Sequence, residues 1–343
     1  MTRLRVVQWA TGNIGTRSLQ GVIDHPALDL AGVWVHADDK AGRDAGALAD
    51  RPPTGVLATS SLDEVLALGA DCVLYMPRSL DADEVGALLA GGSNVVTTRG
   101  ELHHPPSIEP ELRAQIEAAC AAGGTSIHST GSSPGFITEA VPLVLTSIQR
   151  RLDHVLIEEH ADMSARPSPD LIFQIMGFGT PPAELSPGRL SHGLHSFAPS
   201  LRVTAEAIGL PLDDVQATGE VATATRDITI AAGEVAAGTV AAQRTSVTGY
   251  HDGRPVIAFR SCWYVTDELD PSWEVQPTGW RIRVDGDAPL DVALPFPFPM
   301  EEMADRSPGY TANRAVNAVA AVCAARPGIL TSVDLPQIVA RFA

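Results

Sequence analysis

The stretch LRVVQWATGNIGTRSLQGVIDH, residues 4–25, decides the fold. Leu4 to Trp9 is an apolar run of strand length, and from Gly12 to His25 the apolar residues recur at helical spacing. Between them lies Ala10-Thr11-Gly12-Asn13-Ile14-Gly15, the G-x-G-x-x-G pattern with alanine in the first place. Gly12 lets the backbone approach a pyrophosphate seated on the helix N-terminus, and Gly15 lets helix and strand pack closely. A tight strand-to-helix turn with no ligand is the alternative reading of so short a motif. Its position between a first strand and a first helix favours dinucleotide binding.

The same alternation continues downstream. A second strand, Leu28 to Val35, is followed by the helix LDEVLALGA, the strand CVLYM, the helix DADEVGALLAGG, the strand NVVTT, the helix PELRAQIEAACAAGG and the strand TSIHSTG. Continuous apolar strands separated by amphipathic helices predict a parallel sheet covered on both faces, a doubly wound Rossmann domain over 1–134. The pattern then changes. A helix from Gly135 to about Arg150 leads into the long strand DHVLIEEHADM, then helical stretches near Asp170 to Met176 and Leu194 to Ile208. Val215 to Leu294 is strand-rich, with HDGR marking a hairpin in which Gly253 is free to take positive φ. The expected architecture is α/β: the Rossmann domain, then an α+β domain over 135–306 with a mixed, largely antiparallel sheet. A helix over Thr311 to Ile329, ended by Pro327 and Gly328, dominates a terminal segment 307–343.

Composition removes several classes of function. A formal charge of −17 would repel a phosphate backbone, so nucleic acid is not an expected partner. No apolar run approaches the ~18 residues that a bilayer requires, and the N-terminal run is too short for a signal-peptide core; the expectation is a cytoplasmic protein without membrane contact. The cysteines at 72, 120, 262 and 323 form no CxxC pair and are expected to be buried thiols. Lys40 is the only lysine among 24 basic residues, and it lies in a polar loop, which disfavours lysine-nucleophile chemistry.

Cofactor selectivity should be set after the second strand, in VWVHADDKAGR. His36, Lys40 and Arg43 could meet a 2′-phosphate, whereas Asp38 and Asp39 could bridge free ribose hydroxyls. NADP is expected as the preferred cofactor, with NAD accepted more weakly.

The segment TTRGELHHPP, residues 97–106, carries the chemistry. Adjacent histidines on an extended segment point to opposite faces, no HExxH is present, and no metal site is expected. His103 and His104 precede paired prolines and read as structural or loop-rim residues. Glu101 is different: it lies just past the carboxyl end of a parallel strand, beside the crevice where doubly wound sheets bind ligands. Met76, Pro77 and Arg78 end the fourth strand on the expected nicotinamide side, and Thr98 and Gly100 follow the fifth. Pro134 and Gly135 shape a hinge that leaves Phe136 facing the substrate; Thr311 and Asn313 open the late helix, where such a hydroxyl or amide could contact nicotinamide or cap the helix, capping being favoured for Thr311. His160, Phe173, Met176 and Phe178 are candidate pocket lining with an equal claim to be core.

WATGNIG, HADDKAGRDAG, TTRGELHHP, STGSSPGF, YTANRAVNAV and PGILTSVDLP together resemble the NAD(P)-dependent amine dehydrogenases. These are relatives of 2,4-diaminopentanoate dehydrogenase in the dihydrodipicolinate-reductase-like group. The resemblance implies a Rossmann domain followed by an α/β domain, a homodimer, and a last helix that returns to the nucleotide domain. It also implies that Glu101 is the catalytic acid-base in the reductive amination of a small ketone or aldehyde with ammonia. A carboxylate there would take protons from ammonium and stabilise an iminium before hydride arrives. Dihydrodipicolinate reductase itself fits poorly, since IEEHADMSARPSPD holds one histidine, His160, with no lysine and no DAPSG. Two other readings remain: an oxidoreductase of the same architecture acting on a carbonyl or cyclic imine, and a non-catalytic NADP-binding sensor.

Overall fold

Three elements decide the architecture of the N-terminal half: β1 (Leu4–Trp9), α1 (Asn13–Asp24) and β2 (Leu28–Trp34), a βαβ unit in which both strands run parallel. The computed structural model describes residues 3–184 and 188–341, and the chain divides into two units, Met1–Phe136 with Arg306–Ala343, and Ile137–Asp305. The first unit continues through α2 (Ala45–Ala49), β3 (Ala58–Thr59), α3 (Leu62–Ala67), β4 (Cys72–Tyr75), α4 (Ala82–Ala90), β5 (Asn94–Thr97), α5 (Pro110–Gly123) and β6 (Ser126–Ser129). Val6, Val7, Val73, Leu74, Val95 and Val96 are fully buried, so neighbouring side chains on opposite faces of these strands both enter core. That double burial is why the strands read as unbroken apolar runs.

The second unit holds α6 (Val141–Thr146), β7 (Leu152–Asp162), α7 (Gly188–Ala207), β8 (Asp214–Ala224), β9 (Ile228–Ile230), β10 (Gly233–Val235), β11 (Val240–His251), β12 (Arg254–Tyr264), β13 (Leu269–Asp270), β14 (Gly279–Gly286) and β15 (Leu290–Pro295). Seven of its strands form one sheet in the order β13-β8-β11-β12-β7-β14-β15, antiparallel except for the β12–β7 pair. It is the mixed, largely antiparallel sheet that the sequence predicts. The β11–β12 hairpin turns at Asp252 and Gly253, with φ of 49° and 71°, the left-handed pair that a two-residue hairpin loop requires. On one sheet face Phe197 of α7 stacks on Phe259 at 3.8 Å between ring centroids.

The chain then re-enters the first unit through α8 (Met303–Cys323) and β16 (Gly328–Leu330). The first unit's sheet has the order β16-β6-β5-β4-β1-β2-β3, all parallel, with the order reversing at β1 and β4. Two sequence expectations need correction here. The late helix begins at Met303 rather than Thr311, so neither Thr311 nor Asn313 opens it and Thr311 is not its cap. Pro308 lies inside it; the proline removes one backbone hydrogen bond, while Ala312, Ala315, Val316, Val319 and Val322 pack into core and hold the helix together. The same helix ends at Cys323, and Gly328–Leu330 forms a seventh parallel strand beside β6. Three cysteines are buried as expected, but Cys323 is only half-buried. Among the described residues no helix is long and apolar enough to cross a membrane.

Candidate active site

A parallel sheet whose order reverses opens a crevice at the carboxyl ends of the two strands that flank the reversal. In the first unit these are β1 and β4. The turn after β1 takes the strand directly into α1. Ala10 adopts φ of 70°, the left-handed conformation that glycine usually supplies at this first place of the motif. Gln8, fully buried, donates from Nε2 to the Ala10 carbonyl at 2.9 Å and fixes the turn from below. The two glycines have opposite environments. A Cβ at Gly15 would lie 2.1 Å from the Ala10 carbonyl oxygen, so only glycine fits under the loop. A Cβ at Gly12 would meet no protein atom within 4 Å; this exposed glycine is the N-cap of α1 and no side chain caps the helix. Backbone N–H groups at such a terminus, together with the helix dipole, suit a phosphate. Asn13 is exposed and Ile14 half-buried in the first turn. The loop fits a dinucleotide pyrophosphate.

Lys40 ends a short 3-10 turn, Asp38–Lys40, and folds back over this loop. Its Nζ donates to the Thr11 carbonyl and to Thr11 Oγ1, both at 3.1 Å. The single ammonium of the protein therefore sits on the phosphate loop. His36, Asp38, Asp39 and Arg43 are exposed around it. Trp34, stacked on Trp9 at 4.2 Å, brings His36 within 6.1 Å of its own ring.

Across the reversal, the chain after β4 and β5 gathers around a residue that the sequence reading passed over, Arg99. Its Nη1 donates to the carbonyl of Arg78 at 2.7 Å, and its Nη2 donates to Oε1 of Glu101 at 2.5 Å. Glu101 sits in a 3-10 turn, Gly100–Leu102, with its side chain 41% exposed, and Oε2 has no hydrogen-bond partner among the described residues. Thr98 and Gly100 are half-buried beside it, and Pro77 and Arg78 continue from β4. Met76 is buried, its N–H donating to the Trp9 carbonyl at 3.1 Å. His103 and His104 are buried rather than at a loop rim. His104 Nδ1 shares a 2.6 Å hydrogen bond with Ser107 Oγ and leads into the turn Pro105–Ser107, a structural role. No group of three histidine, cysteine or acidic side chains could hold a metal ion among the described residues.

The turn after β6 completes this side. Gly135 takes φ of 115°, beyond the reach of most L residues, and a Cβ added at Gly131 would lie 3.3 Å from the Thr311 methyl. Thr311 reaches across from α8: its Oγ1 hydrogen-bonds the Ser132 hydroxyl at 2.7 Å. Phe136 is half-buried with the Arg314 guanidinium 5.9 Å from its ring centroid, and Asn313 is exposed. The remaining candidates belong to the second unit. His160 on β7 is buried, its Nδ1 unpartnered among the described residues, and burial lowers its pKa. Phe173 packs against Gly179 and Gly233; Met176 and Phe178 are buried in the core there.

Residues 136–343 match the 2,4-diaminopentanoate dehydrogenase C-terminal domain family. The chain belongs to that family. An amine dehydrogenase of Streptomyces virginiae is 30% identical over 97% of this chain and 96% of its own length. A 2,4-diaminopentanoate dehydrogenase of Acetoanaerobium sticklandii is 25% identical over 82% and 78%. Among solved structures, the amine dehydrogenase of Mycobacterium smegmatis superposes with a TM-score of 0.77 at 20% identity, covering 98% of this chain and 97% of that one, which shows the shared fold. As a member of this family the protein is an NAD(P)-dependent oxidoreductase acting on CH–NH2 donors.

Proposed function

We propose that the protein catalyses the reversible reductive amination of a small ketone or aldehyde by ammonia, with Glu101 as acid-base. The observation that carries this reading is a carboxylate at the carboxyl end of β5, one oxygen held by Arg99 and the other without a partner among the described residues. In the aminating direction a carbonyl, an ammonium ion, a hydride and a proton give the ammonium form of the amine and one water. Glu101 takes a proton from ammonium, making ammonia nucleophilic, and returns it to the hydroxyl of the hemiaminal, which leaves as water. Its negative charge then faces the resulting iminium. When bound, the dinucleotide supplies the hydride.

The phosphate loop from Ala10 to Gly15 would hold the pyrophosphate. Lys40, held on the phosphate loop by Thr11, would meet a 2′-phosphate together with the exposed Arg43 and His36, so NADP is preferred to NAD in this reading. Met76, Pro77, Arg78, Thr98, Gly100 and Asn313 would border the nicotinamide, and Phe136 and Thr311 the substrate. A homodimer in the cytoplasm completes the proposal, on the family's pattern. The test is Glu101→Gln: NADPH binding stays within about threefold of wild type while turnover of short ketones with ammonium falls at least ~100-fold, as for loss of a positioned acid-base. Turnover near the wild-type rate would remove Glu101 from this role.

A further inference from the structure

We infer that Arg99 is the positioning residue for Glu101, holding Oε1 so that Oε2 is the oxygen that exchanges protons with the substrate nitrogen. This deepens the proposed function and rests on the acid-base role of Glu101.

Arg99 is held by three strands. Its backbone N–H donates to Thr97 Oγ1 at 3.2 Å, and that hydroxyl donates to the Tyr75 carbonyl at 2.8 Å, tying β5 to the end of β4. Its carbonyl accepts a hydrogen bond from the Ser129 hydroxyl at the end of β6. From this fixed backbone the guanidinium spans two contacts, the Arg78 carbonyl and Glu101 Oε1. The arginine side chain is 29% exposed against 41% for the glutamate, and its Nε is buried without a partner among the described residues. A solvated surface arginine would keep that N–H in water. Here the unmet donor is accepted in exchange for the reach of the other two nitrogens.

A free glutamate side chain samples several rotamers, and most ion pairs at a surface do little to restrict them. An arginine already fixed at the Arg78 end is a different partner, because its planar fork dictates where the carboxylate can lie. With Oε1 committed, Oε2 keeps its lone pairs and faces no competing donor among the described residues. A lysine at this position would bring the charge without a fork able to span both contacts.

The test measures kcat and KM for the full chain with butanone, ammonium chloride and NADPH, together with NADPH affinity by fluorescence titration. Arg99→Gln should lower kcat about 10- to 100-fold, as expected when a reacting group is misplaced by about 1 Å, with the butanone KM and NADPH affinity within about threefold. Arg99→Lys should recover part of the loss. The double variant Arg99→Gln/Glu101→Gln should be no slower than Glu101→Gln alone, because both residues act through one carboxylate. A kcat for Arg99→Gln or Arg99→Lys equal to wild type would overturn the inference, as would a double variant whose loss is the product of the two single losses. An inactive Glu101→Gln beside a fully active Arg99→Gln overturns the positioning role alone. A fully active Glu101→Gln overturns the acid-base role and this inference with it.

Discussion

Replacing Lys40 with alanine should convert a cofactor preference into near indifference. The ammonium uses two of its three donors on the Thr11 carbonyl and hydroxyl, each at 3.1 Å. Both acceptors are neutral, so the full charge and one N–H remain for a ligand. A hydrogen bond from a charged donor contributes about 1.5–3 kcal/mol. Loss of one such contact to a 2′-phosphate should weaken NADPH by about 10- to 150-fold. NADH has no 2′-phosphate and should change by less than about threefold, the effect of slackening a loop that Gln8 still holds through the Ala10 carbonyl. Fluorescence titration of both cofactors against wild type and Lys40→Ala, at one fixed ionic strength, gives the ratio directly. An equal loss for the two cofactors would mean that Lys40 only braces the loop, and an unchanged NADPH affinity would mean that the phosphate lies elsewhere. Either result refutes the assignment.

The two motif glycines should separate stability from binding. Gly15→Ala forces a methyl against the Ala10 carbonyl and should cost about 1–3 kcal/mol in chemical denaturation as well as cofactor affinity. Gly12→Ala meets no protein atom, so its Tm should match wild type while NADPH binding falls; a large drop in Tm would contradict an open cradle. Ala10→Gly relieves a left-handed alanine, worth about 1–2 kcal/mol, against about 0.4–1 kcal/mol of added unfolded-state entropy. The expected result is unchanged or slightly raised stability, and a clear loss would refute the strain argument. His25, His154 and His160 all have lowered pKa values, burial being the first cause for each. Near pH 6.5 the unfolded chain therefore binds protons that the folded chain does not, and this part of the stability is lost as pH falls through that value. Tm should decline between about pH 7.5 and 5.5, with a shallower decline in His160→Gln; a Tm that rises on acidification would contradict the sign.

The Rossmann half was legible because buried parallel strands leave an unambiguous trace: Val6, Val7, Val73, Leu74, Val95 and Val96 all lie in core and all sit in apolar runs. The second sheet was legible through its hairpin, where Asp252-Gly253 announces the turn. The start of α8 was not, because Pro308-Gly309 carries the local signature of a break, whereas the packing of Ala312 to Val322 outweighs the one hydrogen bond that proline removes. Nor was β16: three residues after Pro327 show no period, and their pairing with β6 is a tertiary fact. At the site, Glu101 could be placed from the end of a strand. Arg99 could not be recognised as its partner, because the contact is set by the 3-10 turn at Gly100–Leu102 and by the anchoring of the guanidinium on the Arg78 carbonyl, neither of which leaves a local sequence pattern. Lys40 was marked as the sole lysine, but its contact with Thr11 spans 29 residues and leaves no local signal.

The proposed reaction forms a carbon–nitrogen bond at a carbonyl carbon. Incubation with a short ketone, NADPH and nitrogen-15 ammonium, followed by mass analysis of the product, tests it most directly. The expected product is a primary amine carrying the heavy nitrogen, formed in step with NADPH oxidation, with no oxidation when ammonium is omitted. An alcohol formed at the same rate with or without ammonium would contradict it.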